Sequence, residues 1–249
     1  MSRPIGQDTP DSAVGKAFTL LGAFSHDRPV FSVRELAGRT GIPRSTVHRL
    51  ASELVAWGAL DRTPHGLTLG VRLFEIGALA PTSGSLRDRA LPYSHHLHEV
   101  TGLTVNLAIR RGNDIVYIDK IRSRALRVPH SRLGGRVAVH ATALGKAILA
   151  FSEPEAVDEV LAGPLIRLTE RTITDADALR VELQRARRER VAYDVEESQT
   201  GLFCVAAPIL DSRRLAVGAV SVTGATALDI AQRFAPAVQT TALAIGAGL

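Results

Sequence analysis

Cysteine is almost missing from this chain: Cys204 is the only one in 249 residues. No internal disulfide can form, and cysteine-rich zinc modules, which need several thiolates, are excluded. Lysine is nearly as scarce, with three among 30 basic residues. That bias toward arginine reads first as codon composition and only second as selection for bidentate phosphate contacts. Aromatic residues make up 4%. Long apolar runs are also lacking. The longest, such as FCVAAPIL and LAVGAVSV, reach about eight residues, where a bilayer-spanning helix needs about 20. The opening MSRPIGQDTPDSAV has no apolar stretch behind its arginine, so no secretory signal is read there and a cytoplasmic address is expected.

What is present fits a folded chain of two domains, since the length is about one and a half times that of a typical domain. Apolar residues at 45% and charged residues at 22% lie near globular averages and exclude disordered, collagen-like and coiled-coil classes. The net charge of +5 permits a nucleic-acid partner without requiring one. Its distribution says more, because the segment from Arg28 to Arg72 holds seven arginines against Glu35, Glu53 and Asp61.

The N-terminal third reads as helices followed by a hairpin. Val14, Ala17, Phe18, Leu21 and Phe24 recur at three-and-four spacing, the stripe of an amphipathic helix. After a break at HDRP, Ser32-Val-Arg-Glu35 forms a capping box that opens a second helix, and Gly41 stops it. Pro43 suits the first turn of a third helix, PRSTVHRLASELVAWG. Val47, Leu50, Leu54 and Val55 form the inward face of that helix. Residues 59–69 give two short strands about the turn Thr63-Pro-His-Gly66. Val71 to Ala80 carries one more helical stripe, and Pro81 to Ser85, PTSGS, is the best linker in the chain.

Beyond it the pattern is α+β. A helix is expected from about Leu86 to Thr101. Strands follow at 103–110 and 114–121, then a short one near Leu126, and Gly134-Gly135 leads to a helix beginning close to Thr142. Helical patterns recur at 153–161 and 175–190. Strands are expected at 191–195, 205–210 and 215–223, and a last helix from about Leu228. No internal repeat is visible.

Two apolar helices, a turn with glycine, a third helix with a polar head and a hairpin describe a winged helix-turn-helix. Arg44, Ser45, Thr46, His48 and Arg49 at the head of the third helix offer donors to phosphates and base edges. Ser32 at the start of the second helix joins this candidate DNA-binding set, as do Arg62 and His65 on the hairpin. The competing reading is a small helical interaction domain with a solvated basic face.

The stretch FSVRELAGRTGIPRSTVHRLASELVAWGALDR, followed by LTLGVRLFEIGALA, resembles the start of the IclR family of bacterial transcriptional regulators. Independently, LGGRVAVHATALGKAILA, TITDADAL, YDVEESQTGLFCVAAPI and AVSVTG resemble that family's effector-binding domain, so the likeness runs from about residue 12 to 245. The resemblance implies an α+β chain: a winged helix-turn-helix over residues 1–69, a linker helix and linker over 70–85, and a GAF-like effector-binding domain over 86–249. It also implies a double-stranded DNA operator, homodimers that effector domains often pair into tetramers, and repression as the more frequent sign. No membrane, cofactor, metal or catalytic group is expected.

The same resemblance places an effector pocket at Leu126, Val128, Gly134 and Gly135, at Thr142, Ala143, Leu144 and Gly145, and at Asp194, Cys204, Ser221 and Thr223. The chemistry of those positions agrees. Ser221 and Thr223 stand two apart on a strand, so their hydroxyls share a face. With amides at the start of the Thr142 helix they suit the carboxylate of a small organic acid. Ala143 and Leu144 add an apolar wall, which favours a ligand with a hydrophobic part. Cys204 reads equally as a ligand-contacting thiol or as a small buried hydrophobe. The acidic cluster Asp194, Glu196 and Glu197 lacks the spacing of a metal-ligand set. His95, His96 and His98 do not share one helix face and read as surface or interface residues. The alternative function is a Cys- or metal-dependent hydrolase with a helical adaptor.

Overall fold

The computed structural model describes residues 12–25, 27–123, 132–224 and 228–249. By its contacts the chain divides into two compact units between Gly84 and Ser85.

In the first unit, α1 (Ala13–Gly22) starts where the Ser12 hydroxyl accepts the Gly15 amide at 3.0 Å. The capping box forms at the head of α2 (Val33–Thr40): the Ser32 hydroxyl accepts the Glu35 amide, and the Glu35 carboxylate accepts the Ser32 amide at 2.8 Å. Gly41 ends α2 at φ +71°, a conformation that costs glycine nothing. Pro43 is the N-cap of α3 (Arg44–Ala56) rather than its first helical residue. Strands β1 (Leu60–Thr63) and β2 (Gly66–Leu69) pair antiparallel, and Phe31 bridges to Leu67 beside them. A side chain at Gly66 would sit 2.6 Å from the Phe31 carbonyl oxygen, so only glycine lets this third segment close on the hairpin. Leu20, Phe24, Phe31, Leu36, Val47, Leu50, Leu60 and Leu67 form the core. Helix α4 (Arg72–Ala78) follows, with no buried residue.

The segment Pro81–Ser85, expected as an open linker, is instead the first part of α5 (Pro81–Thr101). Proline tolerates a helix start because its φ is already helical and its missing amide would have had no partner there. Turn-forming composition therefore marked a helix start rather than a loop.

The second unit is built on a six-stranded sheet, with β3 (Thr104–Arg111), β4 (Asp114–Ile121), β5 (Arg136–Ala138), β6 (Ala192–Val195), β7 (Phe203–Leu210) and β8 (Ala216–Gly224). The spatial order is β5-β4-β3-β8-β7-β6, and every neighbour is antiparallel. The alternation of each strand sends one set of residues to each face. Val105, Leu107, Ile109, Val205, Ile209, Val220 and Val222 pack under α5 and α9 (Leu228–Gly246). Ala108, Tyr117, Cys204, Ala206 and Ala219 face α6 (Ala143–Leu149), α7 (Pro154–Ala162) and α8 (Ala176–Glu189). The alanines on this second face let α6 lie close to the sheet. The short strand expected near Leu126 lies outside the described residues, as do the candidate effector residues Leu126 and Val128.

Candidate functional site

Two surfaces concentrate functional chemistry, one in each unit. In the first, α3 buries Val47, Leu50 and Ala51. Arg44, Ser45, His48 and Arg49 are left exposed and Thr46 half-buried. Unlike α1 and α2, α3 has no side-chain cap, because Pro43 has no side-chain acceptor to offer. The first-turn amides are therefore free to meet an anion, with the positive end of the helix dipole behind them. Arg49 pairs with Glu53 at 2.7 Å one turn on, which aims its guanidinium along the helix. Arg62 and His65 are both exposed on the hairpin, and an Arg62 nitrogen lies 3.5 Å from the Ser52 hydroxyl. The Ser32 side chain is already committed to its capping box, so its hydroxyl is less available to a phosphate than the sequence suggested.

In the second unit, a cavity of about 280 Å3, its open mouth included, lies on the sheet face covered by α6. Register builds its floor. Asp194 on β6 lies opposite Cys204 on β7, which lies opposite Thr223 on β8, so three adjacent strands set one polar row. Two residues earlier on β8, Ser221 lies opposite Asn106 on β3. Thr142, Ala143 and Leu144 at the start of α6 form the facing wall, and Tyr117, Ser198 and Leu202 complete the lining.

The polar groups are linked. The Asn106 amide nitrogen donates to the Thr223 hydroxyl at 3.0 Å and reaches Ser221 at 3.5 Å; Thr223 in turn donates to the Cys204 sulfur at 3.2 Å. Asp194 accepts the amides of Glu197 and Ser198 at 2.8 and 3.2 Å, as well as the Ser198 hydroxyl. Burial nevertheless raises its carboxyl from the ordinary 3.8 to about 6, helped by the negative charge of Glu197. Burial also pushes the Cys204 thiol well up, with Asp194 adding to the effect, so Cys204 is neutral at physiological pH and not a nucleophilic thiolate. The buried His140 imidazole is turned to the Ile166 carbonyl at 3.1 Å, and burial lowers its pKa.

The remaining expected pocket residues play other parts. Gly145 is buried beneath the lining: its amide donates to the Thr142 hydroxyl, and an added Cβ would lie 1.9 Å from the Val139 carbonyl oxygen. Gly134 and Gly135 do not line the cavity; they pair with both backbone groups of Tyr117 and so brace the strand that carries it. Sequence reasoning missed Asn106, Tyr117, Ser198 and Leu202. Asn106 had a visible signal, a lone amide in the apolar run LTVNLAI, whereas Tyr117 reads as any strand aromatic. Lys146 was missed as well. It is fully buried on α6 and held by Glu197, with Glu182 at 3.4 Å. Among the described residues no group of three or more His, Cys, Asp or Glu side chains is placed to hold a metal ion.

The model of the IclR helix-turn-helix domain matches residues 13–64, and that of the bacterial transcriptional regulator IclR C-terminal domain matches 80–247. This chain belongs to the IclR family of bacterial transcriptional regulators. It is 30% identical over 217 residues to the HTH-type transcriptional regulator XynR of Escherichia coli, covering 86% of each chain. It is 33% identical to KdgR of the same organism, covering 86% of this chain and 83% of KdgR. The transcriptional repressor AllR of Salmonella typhi is 32% identical over 206 residues, 82% of this chain and 76% of AllR. Among solved structures, an IclR homolog from Microbacterium hydrocarbonoxydans complexed with 4-hydroxybenzoate superposes with a TM-score of 0.80 at 28% identity, covering 93% and 99% of the two chains. Thermotoga maritima IclR gives 0.77 at 30% identity, covering 95% and 98%. The chain is thus a ligand-responsive, DNA-binding regulator with a helix-turn-helix unit and an effector-binding unit. The hydrolase alternative finds no support among these relatives, all of which are regulators. Among the described residues no helix is long and apolar enough to cross a membrane.

Proposed function

We propose that this regulator grips a double-stranded operator as a homodimer, represses from it, and responds to a small organic acid with an apolar part. Residues 1–69 are the DNA-binding domain, 70–85 the connection and 86–249 the effector domain of a cytoplasmic protein. On DNA, α3 enters the major groove with Arg44, Ser45, Thr46, His48 and Arg49, while Arg62 and His65 meet the backbone. Two such heads read an approximate palindrome with half-sites about one helical turn, or a multiple, apart. Pairing is favoured by large apolar side chains that a single chain leaves in water: Val14, Phe18, Trp57, Phe74 and Leu79.

The cavity over β8 carries the ligand reading. Ser221 and the first-turn amides of α6 supply donors suited to a carboxylate, with Thr223 held beside them, and Ala143, Leu144 and Leu202 supply the apolar wall. A relative complexed with 4-hydroxybenzoate supports a small acid with an apolar part. Repression follows the name of AllR. The ligand shifts an equilibrium and leaves unchanged, so its effect on operator affinity equals the effect of operator on its own affinity.

Fluorescence anisotropy with the intergenic DNA beside the protein's own gene tests the DNA half. A combined Arg44, Ser45 and Arg49 alanine variant is expected to lose specific binding, and each lost phosphate contact flattens the salt dependence by about one unit of slope. Equal binding by wild type and variant would sink the assignment of α3. For the effector half, Ser221→Ala and Thr223→Val should blunt the response to acids while operator binding persists. Product formed from a bound acid, and abolished by Cys204→Ser, would point instead to an enzyme.

A further inference from the structure

We infer that Asn106 is a specificity-determining residue: its amide oxygen is an acceptor held for a neutral hydrogen-bond donor on the ligand, so the effector is a small acid that also carries a hydroxyl group. The inference rests on the organic-acid reading above and sharpens it. Asn106 is 2% exposed and lines the cavity. Among the described residues its Oδ1 has no hydrogen-bond partner, and of the buried polar side-chain atoms in that condition it is the one that belongs to the lining of the cavity.

Its orientation is set by its neighbours. Thr223 spends its hydroxyl hydrogen on the Cys204 sulfur, so toward Asn106 it offers a lone pair, and the Asn106 NH2 faces it. The chain of donation then runs one way, from Asn106 to Thr223 to Cys204, and leaves Oδ1 at its head with nothing to accept. Buried carbonyl oxygens of this kind are rare in native proteins and call for an explanation. A ligand donor supplies one.

The number of free acceptors narrows the donor. An ammonium group brings three N–H bonds and a positive charge. The carboxylate in the lining, Asp194, is already occupied by three donors from Glu197 and Ser198. An open, neutral amide oxygen suits a neutral donor, and on a small organic acid that donor is a hydroxyl. A site built to hydrogen-bond a ligand hydroxyl discriminates strongly against the analogue lacking it, because the buried acceptor is then left dry and unpaired.

Isothermal titration of the full-length protein tests this with named probes: benzoate against 2-, 3- and 4-hydroxybenzoate, butyrate against 3-hydroxybutyrate, and phenol as a neutral hydroxyl compound. In at least one series the hydroxy acid should bind wild type about tenfold or more tighter than its parent acid. In Asn106→Leu that ratio should collapse toward one, the loss falling on the hydroxy acid. The wild-type comparison needs no variant, so a poorly folding Asn106→Leu does not shield the idea. Parent acids that bind as tightly as every hydroxy acid, or a ratio that survives Asn106→Leu, overturn the role of Asn106 while the organic-acid reading stands. Phenol binding that weakens in Asn106→Leu, with no acid bound, keeps Asn106 and overturns the acid. Binding of no probe in any series overturns both.

Discussion

Replacing Asp194 with asparagine should make the protein more stable at neutral pH, although it removes an acid that accepts three hydrogen bonds. Asp194 is 1% exposed, and its carboxyl titrates at about 6 in place of 3.8. At about 1.36 kcal/mol for each pH unit between the two values, keeping it ionised costs about 3 kcal/mol at pH 7.5. The folded state holds the proton more tightly than the unfolded chain does, so this cost is full above pH 6 and fades as pH falls toward 3.8. Asparagine keeps a carbonyl oxygen for the Glu197 and Ser198 amides, and the Ser198 hydroxyl can turn to accept from the new NH2. Urea unfolding should therefore show Asp194→Asn ahead by about 3 kcal/mol at pH 7.5, and by about half of that at pH 5. Far-UV circular dichroism is the appropriate signal, since the single tryptophan, Trp57, reports on the other unit. Comparing the two proteins cancels titrations that do not feel Asp194, such as that of His140. A gap that does not change between pH 7.5 and 5, or a variant less stable than wild type at pH 7.5, refutes the reasoning.

Ser32→Ala removes one side of the α2 capping box and should cost about 1 kcal/mol, read by Trp57 fluorescence in urea because both lie in the first unit. Gly145→Ala drives a methyl to within 1.9 Å of a backbone oxygen. The variant should lose more than about 4 kcal/mol or fail to fold, seen as a collapse of the circular dichroism melt. Lys146→Met leaves Glu197 and Glu182 buried or half-buried without their cation and should cost about 3–5 kcal/mol. Adding Glu197→Gln should recover part of that loss, and a double variant no more stable than the single one would contradict the pairing.

Legibility in the sequence tracked the range of the interactions. The capping box at Ser32 and Glu35, the stop at Gly41 and the two-residue hairpin at Pro64-His65 are decided within a few residues, and each stands where the spacing placed it. The polar head of α3 was legible for the same reason, since an amphipathic stripe assigns its own outer face. Pro81–Ser85 marked the boundary between the two units but not a loop, because proline, serine and glycine signal a chain break yet serve equally at a helix start, and composition alone does not choose.

The cavity depended on a different kind of information. Alternation along β8 put Ser221 and Thr223 on one face without any partner being known. That Asn106 stands beside them requires the sheet order, in which β3 neighbours β8 across 115 residues of sequence. Lys146 was hidden in the same way: within ALGKAILAF it reads as a charge that ought to reach water, and only the approach of Glu197 from the turn after β6 and Glu182 from α8 explains its burial. Both misses are polar residues in apolar runs, where burial is affordable only if a distant segment supplies the partner. Asn106 has such a partner for its nitrogen and none for its oxygen. In a pocket wall that asymmetry is a statement about the ligand rather than about the fold, because packing alone would have been served as well by leucine.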